Sequence, residues 1–144
     1  MEKVKKILIA VDDSPTSEKV ATQGFQLAKQ LNSEIALVSV IDTTLMMTDG
    51  NITPSEFVAL LKKDYQKNQK LLIENVFKDN KIWTFIEKGV PHEVILKVAE
   101  EWEADIIVIG THGRTGLSHL LMGSVAEKVI RHATKPVFII TTKS

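Results

Sequence analysis

The sequence predicts an α/β fold, an open five-stranded parallel sheet with helices on both faces. Short apolar runs alternate five times with segments of helical period, and such alternation joins parallel strands through right-handed helical crossovers. The 144 residues match the commonest domain size and contain no Pro-, Gly- or Ser-rich linker. We therefore expect one domain over residues 1–144.

Composition narrows the classes of function. The formal net charge is zero, so the chain lacks the overall basic field of a nucleic-acid-binding protein. There are no cysteines, which excludes disulfides, thiol catalysis and thiolate metal sites. No apolar run approaches the ~20 residues of a membrane span, and the first one is too short for a signal peptide. A soluble cytoplasmic protein with no nucleic-acid or membrane partner is expected.

Five apolar runs are the predicted strands. Near-continuous apolar sequence is typical of parallel strands that are covered on both faces. The third run alternates more between apolar and polar residues, which predicts a less buried strand. In chain order the runs are KILIAV (6–11), EIALVSVI (34–41), KIWTFIE (81–87), DIIVIG (105–110) and PVFIITT (136–142).

The first two helices have recognisable starts. Ser14 followed by Pro15 predicts an N-cap and a first helical position. Thr53 and Glu56 match a capping box, which opens a long helix that reaches roughly Lys78. Both helices would carry the chain back to the edge where the strands begin, as parallel pairing requires.

The remaining connections are a loop and two further helices. Residues 42–52 show no period and contain turn residues, so they predict a long loop. The Gly-Val-Pro run at 89–91 introduces a third helix with one apolar face. Ser124 with Glu127 makes a second capping box, which starts a fourth helix that reaches about His132.

The expected strand order is 3-2-1-4-5, a Rossmann-like arrangement. This order reverses between strands 1 and 4, and open α/β sheets bind ligands beyond the carboxyl ends of their strands at such a reversal. Strand 1 ends near Asp12 and strand 4 ends at Gly110. The segment that follows Gly110 therefore lies in the expected binding crevice.

That segment, GTHGRTGLSHLLMGS (110–124), holds four glycines. Gly110 and Gly113 can adopt positive φ and let the backbone approach an anion, while free N–H groups at the start of the last helix point outward. These features favour a phosphate site, to which two side chains could add charge-assisted donors. The simpler alternative is that the glycines only turn the chain and Ser124 only caps the helix. The two further donors are His112 and Arg114.

Several other chemistries lack their motifs. No lysine lies between Lys97 and Lys128, which excludes a Walker loop here, and no G-x-G-x-x-G follows strand 1. There is no G-x-S-x-G nucleophile elbow, and the histidines at 92, 112, 119 and 132 have no metal-ligand spacing. Asp42 and Asp49 are interpreted as solvated loop acids. We assign no catalytic residue and no protein metal site.

The spacing Gly110-x-x-Gly113, nine residues, then Gly123-Ser124 resembles the G-2x-G-9x-G-[ST] nucleotide motif of the universal stress protein family. ILIAVDDSPTSEKV near the start is similar to that family's N-terminal signature. The resemblance implies the ATP-binding branch and a fold of the adenine nucleotide alpha hydrolase type. It also implies a homodimer through the edge strand at 136–141, since pairing with a second copy would cover that edge.

Carried over residue by residue, the resemblance implies a set of nucleotide contacts. The acid after strand 1 contacts the ribose, and the end of strand 2 contacts adenine, which two residues of strand 1 also border. The glycine loop holds the phosphates, and Mg²⁺ bridges their oxygens with mostly water ligands. The implied positions are Asp12 for ribose, Val40, Ala10 and Val11 for adenine, and Gly110, Gly113, Gly123, Ser124 and Val125 for phosphate.

The resulting hypothesis is a stress-response protein that binds ATP, or ADP or AMP, as a regulatory dimer with at most weak hydrolysis. One alternative is a nucleotide-free dimerisation or adaptor module, against which the retained glycines speak. The other is an adenylating enzyme of the ATP pyrophosphatase type. Such enzymes carry an S-G-G-x-D-S type loop after strand 1, whereas this chain has DDSPTS there.

Overall fold

A computed structural model describes residues 3–45, 53–78, 80–112 and 122–142. Strands and helices alternate along the described chain, and a short 3₁₀ turn (Thr43–Leu45) follows the second strand. The elements are β1 (Lys6–Ala10), α1 (Ser17–Leu31), β2 (Glu34–Asp42), α2 (Pro54–Leu72), β3 (Ile82–Gly89), α3 (Pro91–Trp102), β4 (Ile106–Gly110), α4 (Ser124–His132) and β5 (Val137–Ile140).

The five strands form one parallel sheet in the order β3-β2-β1-β4-β5. β1 lies at the centre, where Ala10 is opposite Val38 of β2 and Ile109 of β4. The predicted strand order and fold class are confirmed. The reversal of strand order between β1 and β4 leaves a crevice at their carboxyl ends.

Two apolar cores cover the two faces of the sheet. Ile7 and Ile9 of β1 face α1 and the end of α2, whereas Leu8 and Ala10 face α3 and α4. This alternation follows from the two-residue period of a strand, which sends neighbouring side chains to opposite faces. Helices therefore lie on both faces, and strands covered in this way carry the near-continuous apolar runs seen in the sequence.

α1 begins later than the sequence predicts. Its N-cap is Thr16, so neither Ser14 nor Pro15 belongs to the helix. The Asp12 carboxylate explains the difference, since its Oδ1 accepts the Ser14 N–H at 2.9 Å and closes a local turn. Side-chain turns of this kind compete with helix formation, and the chain enters α1 only at Ser17, whose N–H donates to the Ser14 carbonyl at 3.1 Å.

Thr53 is the N-cap of α2, as predicted, and its side chain makes the first half of the predicted capping box. Thr53 Oγ1 accepts the Glu56 N–H at 3.1 Å and lies 3.0 Å from the Glu56 carboxylate. Regular helix ends at Leu72, and one π-helical turn (Ile73–Phe77) continues it toward the predicted end near Lys78. None of the helices in the described part of the chain is both long and apolar enough to cross a bilayer.

Candidate functional site

A cavity of about 400 Å³ lies at the carboxyl ends of β1, β2 and β4. Its volume is within the range of roughly 300–1,000 Å³ that is typical of small-molecule and cofactor sites. β1, β2 and β4 supply its floor, while the N-terminal ends of α1, α3 and α4 and one face of α2 supply its walls. The cavity therefore occupies the crevice that the strand order predicts.

Nine of the eleven residues predicted as nucleotide contacts line this one cavity. Gly113 and Arg114 lie outside the described residues, as does His119. The structure brings the other predicted positions together from β1, β2, β4 and α4, and their roles toward a ligand remain predictions. The nine are Ala10, Val11, Asp12, Val40, Gly110, His112, Gly123, Ser124 and Val125.

One end of the cavity is apolar. Val38 and Val40 of β2 line it from the same side of the strand, because strand side chains alternate, and Ile95 of α3 lies among the other lining residues. Two residues on the neighbouring strands, Ala10 and Ile109, complete the apolar floor. Such a wall suits a flat aromatic ring.

α2 adds an aromatic and aliphatic wall that sequence reasoning missed. Phe57, Leu61 and Tyr65 all line the cavity, and Tyr65 is buried. Their spacing of four residues places them on one face of the helix. That periodicity is visible in the sequence, but which face of the helix lines the cavity depends on the packing of α2 on β2 and β3.

Two carboxylates line the cavity. Asp12 follows β1, and its Oδ1 accepts the Ser14 N–H, so its side chain is held at the carboxyl end of the sheet. Asp42 ends β2, and its Oδ1 accepts both the N–H (2.9 Å) and the hydroxyl of Thr44. Asp42 is half-buried, ends a strand and lines the cavity, so it is not the loop residue that the sequence predicts. Asp49 lies outside the described residues.

The opposite end of the cavity meets the start of α4. Gly123 is the N-cap of this helix, with φ −74° and ψ 162°, and Ser124 is its first residue. The predicted capping box is therefore wrong, since Gly123, not Ser124, is the N-cap, and Glu127 pairs with Arg131 one turn later. The first-turn N–H groups have no intrahelical acceptors and carry the positive end of the helix dipole, which favours an anion.

Gly110 does not adopt the positive φ that glycine permits. Among the described glycines only Gly89 has a positive φ, at 148°. A Cβ on Gly110 would lie 2.8 Å from Thr142 Cγ2 and 2.9 Å from Val20 Cγ2. Glycine is required there because side chains of α1 and the segment after β5 occupy the space.

The described histidines divide between the cavity and the surface of α3 and α4. His112 is buried, lines the cavity, and has its Nδ1 3.1 Å from Thr111 Oγ1. His92 and His132 stack with ring centroids 5.8 Å apart, at the start of α3 and the end of α4. In the described ranges no group of three or more potential ligands is placed to hold a metal ion.

A second, more open depression of about 690 Å³ lies between α2 and β3. Its lining includes Lys62 and Lys70 together with Glu74 and Glu87, so charges of both signs share it. It contains none of the predicted contact residues. The cavity at the strand reversal is therefore the candidate site.

Comparison with known proteins places the chain in a defined family. The model of the universal stress protein family matches residues 3–141. Universal stress protein MJ0577 of Methanocaldococcus jannaschii is 36% identical and is covered over 96% of its length by 97% of this chain. Universal stress protein YxiE of Bacillus subtilis is 30% identical, with 94% of this chain and 97% of that protein covered.

Solved structures share the fold. The structure of MJ0577 has a TM-score of 0.83 at 30% identity, with 99% of each chain covered. A universal stress protein solved in complex with cAMP has a TM-score of 0.65 at 19% identity, with 98% of this chain and 99% of that one covered. At that identity the second likeness shows the fold alone.

Proposed function

This chain belongs to the universal stress protein family, and on that basis we propose that it binds ATP, or ADP or AMP, in the cavity at the carboxyl ends of β1, β2 and β4. Binding would serve regulation in the cytoplasm during stress, with at most weak hydrolysis. One observation carries the proposal: a single cavity joins an apolar wall, a central carboxylate and the N-terminus of helix α4. In that order, the three surfaces match the base, the ribose and the polyphosphate of a nucleotide.

The order of strands supports the direction in which the nucleotide lies. β1 stands between β2 and β4, so Asp12 lies between the apolar end at Val40 and the amide end at Gly123. A carboxylate beside a triphosphate would repel it, but in the middle of the cavity it can accept hydrogen bonds from ribose hydroxyls. Val40, with Ala10 and Val11, would then border the adenine ring.

The amide end would hold the phosphates. Ser124 and Val125 begin α4, and their N–H groups belong to the first turn, which has no intrahelical acceptors. Ser124 is exposed at the first position of α4, where its hydroxyl would donate to a phosphate oxygen. His112 adds a polar ring on the same side, and the sequence assigns further phosphate contacts to Gly110, Gly113 and Arg114.

Mg²⁺ would arrive with the nucleotide. It keeps several waters and needs only the phosphate oxygens to hold it, so it fits a site whose described carboxylates, Asp12 and Asp42, form no three-ligand cluster. We assign no catalytic base, which is why only weak hydrolysis is expected.

The proposed active form is a homodimer that pairs β5 with a second copy. β5 is an edge strand with one neighbour, β4, and its Phe138 is 42% exposed. An apolar edge strand is a template for pairing, and a two-fold axis would let each copy cover the other.

Gentle purification followed by mass spectrometry tests the ligand. We expect ATP, ADP or AMP to be recovered in near-stoichiometric amount, and the melting temperature to rise when Mg-ATP is added to stripped protein. Absence of both a carried nucleotide and a thermal shift would favour the adaptor alternative. Rapid turnover that depends on a second substrate would favour the adenylating enzyme.

The matched control for this experiment is a variant of the apolar wall. Val40→Glu places a carboxylate where adenine would stack, and it should remove both the carried nucleotide and the thermal shift. Val90→Glu, in the half-exposed residue before α3, introduces the same charge at a position that does not line the cavity. Equal loss in both variants would contradict the assignment of the cavity.

A further inference from the structure

A buried threonine cluster lies at the carboxyl ends of β4 and β5. Thr111 and Thr142 are each only 6% exposed, and they follow β4 and β5 respectively. The Thr142 N–H donates to Thr111 Oγ1 at 3.0 Å, and the two hydroxyl oxygens are 3.2 Å apart. Thr111 lines the cavity, whereas Thr142 is not one of the described residues that line it, so Thr142 supports the cavity wall from behind.

The Thr142 hydroxyl holds the main chain of His112 by both of its polar groups. The His112 N–H donates to Thr142 Oγ1 at 3.0 Å, and the Thr142 hydroxyl donates to the His112 carbonyl at 3.2 Å. One hydroxyl thereby fixes the orientation of the peptides on both sides of a cavity residue. Because these groups are buried, loss of the hydroxyl would remove a hydrogen-bond partner from each of them and weaken the hold on their orientation.

The same cluster reaches the start of α4. The Gly123 N–H donates to the Thr111 carbonyl, at 2.6 Å, while the Thr111 N–H donates to the Ile140 carbonyl of β5 at 2.9 Å. His112 and Gly123 both line the cavity at its amide end. Thr111 and Thr142 therefore attach two separate parts of the cavity wall to β5.

We propose that Thr142 is a positioning residue for the phosphate half of the site, acting through the main chain of His112 and, with Thr111, through Gly123. This assignment rests on the proposed function. The N–H groups of His112 and Gly123 are themselves used in these hydrogen bonds, so the threonines act by fixing the path of the main chain. That path places the neighbouring phosphate contacts, which are the His112 side chain and the first-turn N–H groups of α4. The hydrogen bonds of the two threonines run to His112, Gly123 and β5, and β1 separates β4 and β5 from β2, so we expect the effect at the phosphates rather than at the base.

The decisive measurement compares ligands of different phosphate content. Calorimetry gives Kd for ATP and for adenosine with the wild type, Thr142→Val, Thr142→Ser and Thr141→Val. Thr142→Val keeps the shape and removes the hydroxyl, so we expect ATP affinity to fall about tenfold, equal to about 1.4 kcal/mol, with adenosine affinity unchanged. Thr142→Ser keeps the hydroxyl and should bind ATP as the wild type does, and exposed Thr141 is the neighbouring control.

The outcomes separate this proposal from the function on which it rests. Wild-type protein that binds neither ligand would overturn the proposed function, and the Thr142 assignment with it. Wild-type protein that binds ATP while Thr142→Val binds it equally well would overturn the Thr142 assignment alone. Equal losses for ATP and adenosine would show a general structural effect and overturn it as well.

A measurement on the wild type keeps the proposal testable if Thr142→Val does not fold. Hydrogen exchange of the nucleotide-free protein should show the His112 amide protected to the level of the β4 core, because its N–H is held by the buried Thr142 hydroxyl. Fast exchange of that amide would mean that Thr142 does not fix it, and the proposal would fail.

Discussion

The side-chain amide of Asn68 in α2 donates a hydrogen bond to the main-chain carbonyl of Asp12, over 2.7 Å. Asn68 Oδ1 also accepts the Ser17 hydroxyl at 3.4 Å, so one side chain joins α2 to the end of β1 and to the start of α1. α2 carries the aromatic wall of the cavity, and Asp12 is its central acid. Asn68 therefore couples two parts of the site that are far apart in sequence.

Asn68→Ala should loosen that coupling. Removal of the amide leaves the Asp12 carbonyl without this donor, and we expect the free energy of unfolding to fall by about 1 kcal/mol. ATP affinity should fall too, because the α2 wall and the Asp12 turn lose their connection. Urea denaturation and calorimetry measure the two effects. Lys67→Ala, at the exposed preceding position, is the control, and equal behaviour of both variants would contradict the coupling.

Gly123→Val should abolish ATP binding without loss of helix content. The φ of −74° and ψ of 162° at Gly123 are open to any residue, so the added side chain alters the cavity wall rather than the backbone. Circular dichroism checks the helix content and calorimetry the binding. Ala133→Val is the counterpart at the other end of α4, where φ is −69° and ψ is 140°. Unchanged ATP affinity in Gly123→Val would show that the phosphates lie elsewhere.

Gly110→Ala should destabilise the protein, by roughly 1–3 kcal/mol, as overpacking of a filled site does. The new Cβ would meet Thr142 Cγ2 at 2.8 Å and Val20 Cγ2 at 2.9 Å. Thr142→Ser removes the first of these methyl groups and keeps the hydroxyl, so the double variant should recover part of the loss. Urea denaturation of the two single variants and the double variant measures the coupling. Strictly additive losses would contradict the packing explanation.

Phe138→Lys should convert the proposed dimer into a monomer. A lysine on an edge strand opposes pairing with another strand, and light scattering after gel filtration gives the mass of the species in solution. Trp83→Lys is the matched control, because Trp83 lies on β3 at the opposite edge of the sheet and is also 42% exposed. A dimer that survives Phe138→Lys and is lost in Trp83→Lys would place the interface at β3.

The sequence predicts the sheet well because its signals are local. The apolar runs of β1 and β4 indicate strands that are buried on both faces, and the Thr53–Glu56 spacing indicates a helix cap formed within one turn. The crevice follows from strand order, which is why residues of four different elements, such as Val40 and Ser124, meet in one cavity. The glycine motif predicts the same crevice, because it lies between β4 and α4.

The parts that sequence reasoning missed depend on distant partners. The Asn68–Asp12 hydrogen bond joins residues on two elements, and no local pattern predicts it. The Ser124–Glu127 spacing fits a capping box, yet Glu127 pairs with Arg131 on the same face of α4. The spacing alone therefore does not identify the partner of Glu127. Asp42 follows the strand period onto the cavity side, a fact that its place before a loop concealed.

The close packing around Gly110 affects what a glycine at this position says about nucleotide binding in related chains. The methyl groups of Val20 and Thr142 exclude a larger residue whether or not a ligand is bound. A related chain that binds no nucleotide would still need glycine there if it kept valine and threonine at the positions of Val20 and Thr142. A comparison that separates chains that bind nucleotide from chains that do not should therefore give more weight to Gly123, whose φ and ψ do not require glycine, than to Gly110.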